Sequence, residues 1–308
     1  MIREPAPAKA NLVLQVGPRR GDGLHEICSL FASLDLADVL RVEPGGCADR
    51  VECAGVEGPN LASTALELYR AAAGARAGLP PLSVRIDKRI PVAAGLGGGS
   101  ADAAAALRAA DALADRPLGV ARLREIALHV GADVPSQIEP GHALVTGAGE
   151  GVEPVGLPPM TLVLAPHEDG LATADVYAEA DRLGAVRTRL EPARLRELAR
   201  APSLEGLAPA VENDLEPAAL SLRPELALVA ARLRATGASA TLVSGSGPTV
   251  LGLFGERASA EAAGKEITGA IITGLRPSRD DAGRPAGEPG RLAGPDRSRT
   301  PASTGRAR

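Results

Sequence analysis
Hydrophobic and polar positions along the chain change period several times, and each change marks an element. ANLVLQV (10–16) is a β-rich run, followed by the polar turn GPRRGDG and a second apolar run, EICSLFASLDL. RVEPGG and DRVECAG suggest a further hairpin. From Leu61 to about Ala75 apolar residues recur at helical spacing, and LSVRID (82–87) returns to a short β-rich run. VARLREIALHV then reads as a helix stopped by Gly131. After the glycine-rich HALVTGAGEGVEPVGLPP the apolar strand TLVLAP (161–166) restarts the pattern, which puts a boundary at LPPM. The second half carries the amphipathic helices RLRELARA and PELALVAARLRAT, a strand–loop–strand at SATLVSGSGPTVLGLF, and a closing helix, ASAEAAGKEITGAII. The pattern divides the chain into domains over 1–157 and 158–275, followed by a segment from 276 to 308 whose composition differs.

Composition narrows the partners. Hydrophobic residues make up 45% of the 308 positions, enough for a substantial core, but aromatics make up only 1%. Phe31, Phe254, Tyr69 and Tyr177 are the whole set, so the core must be built from Leu, Val, Ile and Ala. So few aromatic faces argue against a stacking platform for single-stranded nucleic acid. A net charge of −4 gives no electrostatic reason to expect nucleic acid or an anionic membrane as partner. Residues 276–308 are rich in Pro, Gly and Arg with a formal charge of +4 (eight Arg against four acids), leaving −8 on the rest. Such a segment buries too little to offset its ordering entropy and is expected to be a solvated tail, with a basic arm as the alternative. Cys28, Cys47 and Cys53 show no CxxC spacing, so neither a zinc site nor a disulfide framework is expected. The start has no apolar leader and no stretch reaches the ~18 apolar residues of a membrane span, which makes the cytoplasm the expected location.

The densest chemical signal is PVAAGLGGGSADAAAAL (91–107), glycines set directly against strong helix formers. Glycine permits φ > 0 and lets backbone N–H groups approach a ligand, and the following helix adds the positive end of its dipole, with Ser100 as expected N-cap. A phosphate suits that place; a plain flexible turn is the alternative. A P-loop requires Lys-Ser/Thr after its glycines, which GLGGGSAD lacks. A dinucleotide fingerprint requires its glycines straight after a strand, and KRIPVAA separates LSVRID from Gly95.

PVAAGLGGGSADAA resembles instead the ATP-phosphate loop of the GHMP small-molecule kinases. PAKANLVLQVGPRRGDGLHEICSLF resembles the first motif of that superfamily, and SGSGPTVLGLF its third. With VGADVPSQI, GAGE and ENDLE, the matches are most similar to the branch that acts on a cytidine-diphosphate-linked methylerythritol, and they fall in order over about residues 5–255. The resemblance implies an α+β, two-domain GHMP kinase fold, a ribosomal-S5-like N-terminal domain plus an α/β C-terminal one, with the active site in the cleft between. It implies transfer of the ATP γ-phosphoryl group to a hydroxyl of that small-molecule acceptor, a step of non-mevalonate isoprenoid synthesis, by a monomer or weak homodimer.

The resemblance also assigns roles. Lys9 and Asp133 become the catalytic pair, the carboxylate taking or orienting the hydroxyl proton and the ammonium stabilising developing charge. Read alone, Lys9 is a surface lysine and Asp133 a turn residue. Pro91, Val92, Ala93, Ala94, Gly95, Leu96, Gly97, Gly98, Gly99, Ser100 and Ala101 would hold ATP, with Asn60 near its base; Ser100 would approach phosphate or Mg²⁺ arriving with the nucleotide, and no dedicated metal site is expected. Asn11, His25, Thr173 and Tyr177 would contact the acceptor.

The chain departs from the family pattern around the expected acceptor pocket. Leu24 stands where the family has a tyrosine, Ser136 and Gln137 where it has two aromatics, and Ala10 where it has a larger aliphatic. A GHMP kinase for another small alcohol, of the homoserine or mevalonate type, and a nucleotide-binding protein without transfer activity are the alternatives.

Overall fold
A computed structural model describes residues 1–56, 58–74 and 77–277. The chain opens with two long antiparallel strands, β1 (Ile2–Arg19) and β2 (His25–Pro44). β1 is buried at every position from Ala6 to Val16, because neighbours cover both of its faces and both of its edges. Its pairing with β2 shifts register between Pro7 and Lys9 and again between Asn11 and Val13. Such irregularities twist a strand locally and re-aim side chains, and here they bracket Lys9 and Asn11.

β3 (Arg50–Cys53) pairs parallel with β4 (Leu82–Asp87), and β4 pairs antiparallel with the far end of β2. The hairpin expected from RVEPGG and DRVECAG therefore does not form: β4 lies between the two segments in the sheet order β3-β4-β2-β1. β5 (Ala143–Gly147) and β6 (Gly151–Pro154) form a hairpin on the near end of β2, in the stretch read only as glycine-rich. Four helices cover one face of this sheet: α1 (Leu61–Ala73), α2 (Gly98–Leu113), α3 (Val120–Val130) and α4 (Val134–Ile138). α1 ends at Ala73, before Gly74 at φ +61°; Ala75 lies outside the described residues. Their core joins Leu40, Val42, Leu66, Tyr69, Leu107 and Ile126 to seven buried alanines of α2. Small side chains let α2 lie close to both α1 and the sheet, which is how so aromatic-poor a chain packs densely.

The second half builds an antiparallel sheet in the order β11-β7-β10-β9 from β7 (Thr161–Ala165), β9 (Ala240–Val243), β10 (Val250–Phe254) and β11 (Ile271–Gly274). The apolar run of β7 has no polar alternation because both faces are buried. Leu162 and Leu164 join Leu12, Leu30 and Leu34 of the first sheet, whereas Val163 and Ala165 face Val176, Leu226 and Leu233. Those residues belong to α5 (Thr173–Leu183) and α9 (Glu225–Ala235), which share that face with α8 (Glu216–Leu222) and α10 (Arg257–Lys265). α6 (Pro192–Leu198) and α7 (Leu204–Leu207) pack into the core common to both sheets. The helix read through ASAEAAGKEITGAII ends at Lys265, and its last apolar residues form β11 instead. β8 (Glu212–Asn213) crosses back from the second half to pair with β1. From Ser278 the expected tail lies outside the described residues.

Ala104, on α2, is fully buried in the first core. Replacing it with leucine should overpack that core and cost about 1–3 kcal/mol. Urea unfolding measures this, and an unchanged midpoint would contradict the close packing of α2.

Candidate active site
A cleft of about 840 Å³ lies where the two halves meet, lined by β1, the glycine loop, the segment before α4, the start of α5 and the turn between β9 and β10. Lys9 and Asn11 lie two residues apart on β1, so their side chains share one face of the strand. Lys9 Nζ donates to Asn11 Oδ1 (2.7 Å), stands 3.3 Å from Asp133 Oδ2, and sits 5.0 Å from the Phe31 ring centroid. Asn11 Nδ2 donates to Ser29 Oγ (2.9 Å), which donates to the Val13 carbonyl (2.6 Å). The Lys9 side chain is 7% exposed and that of Asp133 is 31% exposed, so the ammonium is held from behind while the carboxylate faces the cleft. Asp133 occupies the N-cap position of α4 but makes no side-chain cap bond, which leaves it directed to Lys9. Charge, reach and access for proton transfer are therefore combined at one point.

The glycine loop forms the adjoining wall, the Lys9 N–H donating to the Leu96 carbonyl (3.0 Å). α2 begins at Gly98, with Gly97 as N-cap at φ +69°. The expected cap, Ser100, lies inside the helix, because a left-handed residue must turn the chain there and only glycine does so without strain. No side chain caps α2, and the first helical bond runs from Ala101 N–H to the Gly97 carbonyl. The N–H groups of Gly98, Gly99 and Ser100 precede that bond and have no acceptor inside the helix. Pro91 to Gly99 line the cleft, whereas Ser100 and Ala101 do not, and Ala101 is fully buried in the first core. Gly95 has φ +73°, and a Cβ there would lie 2.4 Å from the Ser244 carbonyl oxygen; one at Gly97 would lie 2.8 Å from Lys9 Cγ. The loop is thus a cradle that side chains would fill, with free amides facing in. This fits the phosphates of a nucleotide.

Asn60 caps α1 by accepting the Ala62 N–H (2.9 Å) and also lines the cleft. Asn213, within ENDLE, was given no separate role by sequence. Its Nδ2 donates to the carbonyls of Val243 and Gly245 (2.8 Å each) and its Oδ1 accepts the Leu215 N–H, which fixes the turn after β9. That turn meets the start of α5 through Thr173 Oγ1 and Ser246 Oγ, 3.0 Å apart.

At the far end, His25 Nδ1 donates to the Gly17 carbonyl (2.9 Å), and its buried Nε2 lies 3.4 Å from an Asp181 oxygen. The ring of Tyr177 is 5.2 Å from that of His25 and tilted 33° to it. Burial, and beyond it the charge of Asp133, push the Tyr177 phenol above its ordinary range. Leu24 lines this end and is 52% exposed. Ser136 and Gln137 were expected to border the acceptor pocket; they are instead buried in α4 and do not line the cleft, Ser136 Oγ donating to the Asp133 carbonyl. Ala10 is likewise buried in the core shared by the two sheets.

The family model for the N-terminal domain of GHMP kinases matches residues 60–141, and that for their C-terminal domain matches residues 195–271. A 4-diphosphocytidyl-2-C-methyl-D-erythritol kinase from Anaeromyxobacter sp. (strain Fw109-5) is 43% identical over 281 residues, covering 87% of each chain. The chain belongs to the GHMP kinase family. Another relative of that same enzyme name, from Salinispora tropica, is 41% identical and covers 87% of this chain and 88% of its own. A solved 4-(cytidine 5'-diphospho)-2C-methyl-D-erythritol kinase superposes with a TM-score of 0.73 at 36% identity, covering 89% of this GHMP kinase and 99% of that chain. The matched N-terminal stretch spans Asn60, the glycine loop and Asp133.

Gly95→Ala should weaken ATP binding at least tenfold while leaving the fold intact, because even one methyl meets the Ser244 carbonyl. Titration with a fluorescent ATP analogue measures this, and wild-type affinity in the folded variant would remove the loop from the nucleotide site.

Proposed function
We propose that this GHMP kinase transfers the γ-phosphoryl group of ATP to the 2-hydroxyl of 4-diphosphocytidyl-2-C-methyl-D-erythritol. The observation that carries the reading is the Lys9–Asp133 pair set beside a glycine cradle in one cleft. Relatives of that enzyme name at 40–43% identity over most of the chain support the acceptor.

In this reading the loop from Pro91 to Gly99 and the open amides of α2 hold the ATP phosphates, and Asn60 lies beside the base. The acceptor hydroxyl enters between Asp133 and the γ-phosphorus. Its oxygen forms the new P–O bond, its proton passes to the Asp133 carboxylate, and the bond between phosphorus and the bridging oxygen breaks, leaving the electron pair on ADP. Lys9 keeps the carboxylate paired and stabilises negative charge on the transferring group. His25 and Tyr177 form the wall for the cytosine, and Asn11 acts through Lys9, since both ends of its amide are occupied within the protein. Mg²⁺ arriving with the ATP would neutralise charge on its phosphates. Among the described residues no group of three or more His, Cys, Asp or Glu is placed to hold a metal ion. Among the same residues no helix is long and apolar enough to cross a membrane.

ADP release measured against a panel of the cytidine-linked alcohol, homoserine and mevalonate tests the acceptor. Turnover with the first alone is expected, and turnover with another alcohol alone would overturn the assignment. Asp133→Asn should leave ATP binding intact and lower turnover by ~10²–10⁴-fold. Lys9→Met should act on the same step, and the double variant should be little worse than the worse single; additive losses would separate the two residues.

Tyr177→Ala should raise the acceptor KM roughly ten- to a hundredfold, the worth of one stacked base, and leave the ATP KM unchanged. Leu24→Tyr should lower the acceptor KM by adding a second face. Steady-state kinetics decide, and no change in either variant would move the cytosine elsewhere.

A further inference from the structure
The glycine loop is held at both ends by one buried ion cluster that the reaction itself does not use. Asp38, fully buried on β2, accepts the N–H groups of Arg89 (2.5 Å) and Ile90 (2.8 Å) at Oδ1 and the Lys88 ammonium (2.5 Å) at Oδ2. Lys88 Nζ also donates to Asp102 Oδ2 (2.7 Å), on the second turn of α2. Lys88 to Ile90 directly precede the loop, and Gly98 to Asp102 directly follow it. The ammonium lies against the first residue of α2, since a Cβ on Gly98 would be 3.0 Å from Lys88 Nζ and 3.1 Å from Ile90 Cγ2.

Between these anchors the described backbone–backbone and side-chain bonds to the loop are few: Lys9 N–H to the Leu96 carbonyl (3.0 Å), Ala101 N–H to the Gly97 carbonyl (2.9 Å) and Ser244 Oγ to the Gly95 carbonyl (3.2 Å). A glycine-rich loop with so few bonds takes its shape from its ends, and fixing those ends reduces the ordering cost of closing it on a ligand.

Resting on the kinase reading above, we propose that Asp38, Lys88 and Asp102 are positioning residues for phosphoryl transfer, setting the spacing between the start of the glycine loop and the N-terminus of α2. Lys88 and Asp102 also line the cleft beside the loop, and the proposed effect on the nucleotide passes through the loop amides. Burial lowers the Lys88 pKa, and Asp102 and Asp38 more than reverse this, so the bridging ammonium stays charged. Removing one member of a buried ionic group leaves the others poorly compensated, and the loop is the nearest element free to shift in response.

A comparison at position 102 tests this without removing the Lys88–Asp38 pair. Asp102→Leu fills the same space but offers Lys88 no acceptor, whereas Asp102→Asn keeps an oxygen for it. Asp102→Leu is expected to raise the ATP KM, and the Kd of a nonhydrolysable ATP analogue, at least tenfold, with the acceptor KM within twofold of wild type. Asp102→Asn should recover most of that loss. A residue that only supports the fold would lower the melting temperature of both variants and leave both KM values of the folded fraction unchanged. That outcome, or an asparagine no better than leucine, overturns the proposal. Should Asp102→Leu not fold, Lys88→Gln is measured in its place, with the same split between the two KM values expected. Wild-type protein with no affinity for the analogue would overturn the kinase reading and this inference together; binding by wild type that Asp102→Leu leaves intact overturns this inference alone.

Discussion
The Lys9 ammonium is almost wholly withdrawn from water, and a buried cation without acceptors costs several kcal/mol. That one requirement accounts for much of what surrounds it. Asn11 turns its oxygen to Lys9 because Ser29 takes its amide nitrogen, and Ser29 can do so because it is itself anchored on a β1 carbonyl. The Phe31 ring offers its face below, and Asp133 supplies the opposite charge from above. The register shifts on either side of Lys9 and Asn11 belong to the same solution. Between the shifts Lys9, Ala10 and Asn11 pair in regular register with Ser33, Ala32 and Phe31, and both polar side chains remain buried.

The ammonium also ties the two halves together. The turn after β9 packs on this pair so closely that a Cβ on Gly245 would lie 3.1 Å from Asn11 Oδ1 and 3.4 Å from Lys9 Nζ. Gly95 reaches the same turn from the glycine loop. Three backbone segments therefore converge on one buried charge, and glycine occupies two of the contact points because any side chain would separate them. Asn213 holds the turn and β8 joins it to β1, so the second half of the chain fixes the geometry of a site whose ionic groups come from the first.

What could be read in the sequence follows from the range of the interactions involved. LSVRID was legible as a strand because its burial alternates at period two, and VARLREIALHV because Gly131 stops it. The partner of β3 was not legible: RVEC is short, its neighbour in space is β4, and nothing local distinguishes that pairing from a hairpin with β2. Lys9 and Asp133 were found only through the motifs around them, since 124 positions separate them in the chain. Asp38, Lys88 and Asp102 were missed for the same reason, each ordinary in its own surroundings and meaningful only once folding brings them together. Ser100 was misplaced as a cap because side-chain preference favours serine, whereas the backbone there needs the left-handed conformation that Gly97 provides.

The departures from the family pattern sort by the same physics. Ser136, Gln137 and Ala10 lie in the interior, where they alter packing and not the wall of the cleft. Leu24 alone among them faces the cleft, in a turn region where little else packs on it. Exchanging a side chain there disturbs few neighbours, whereas exchanging Lys9, Asn11 or Gly95 disturbs a buried charge or a backbone contact. Variation at the Leu24 end of the cleft is therefore structurally inexpensive, and variation around Lys9 is not. On the function proposed above, a chain with leucine at this exposed position and Lys9, Asn11 and Gly95 in place would differ in its grip on one face of a base and not in its means of moving a phosphoryl group.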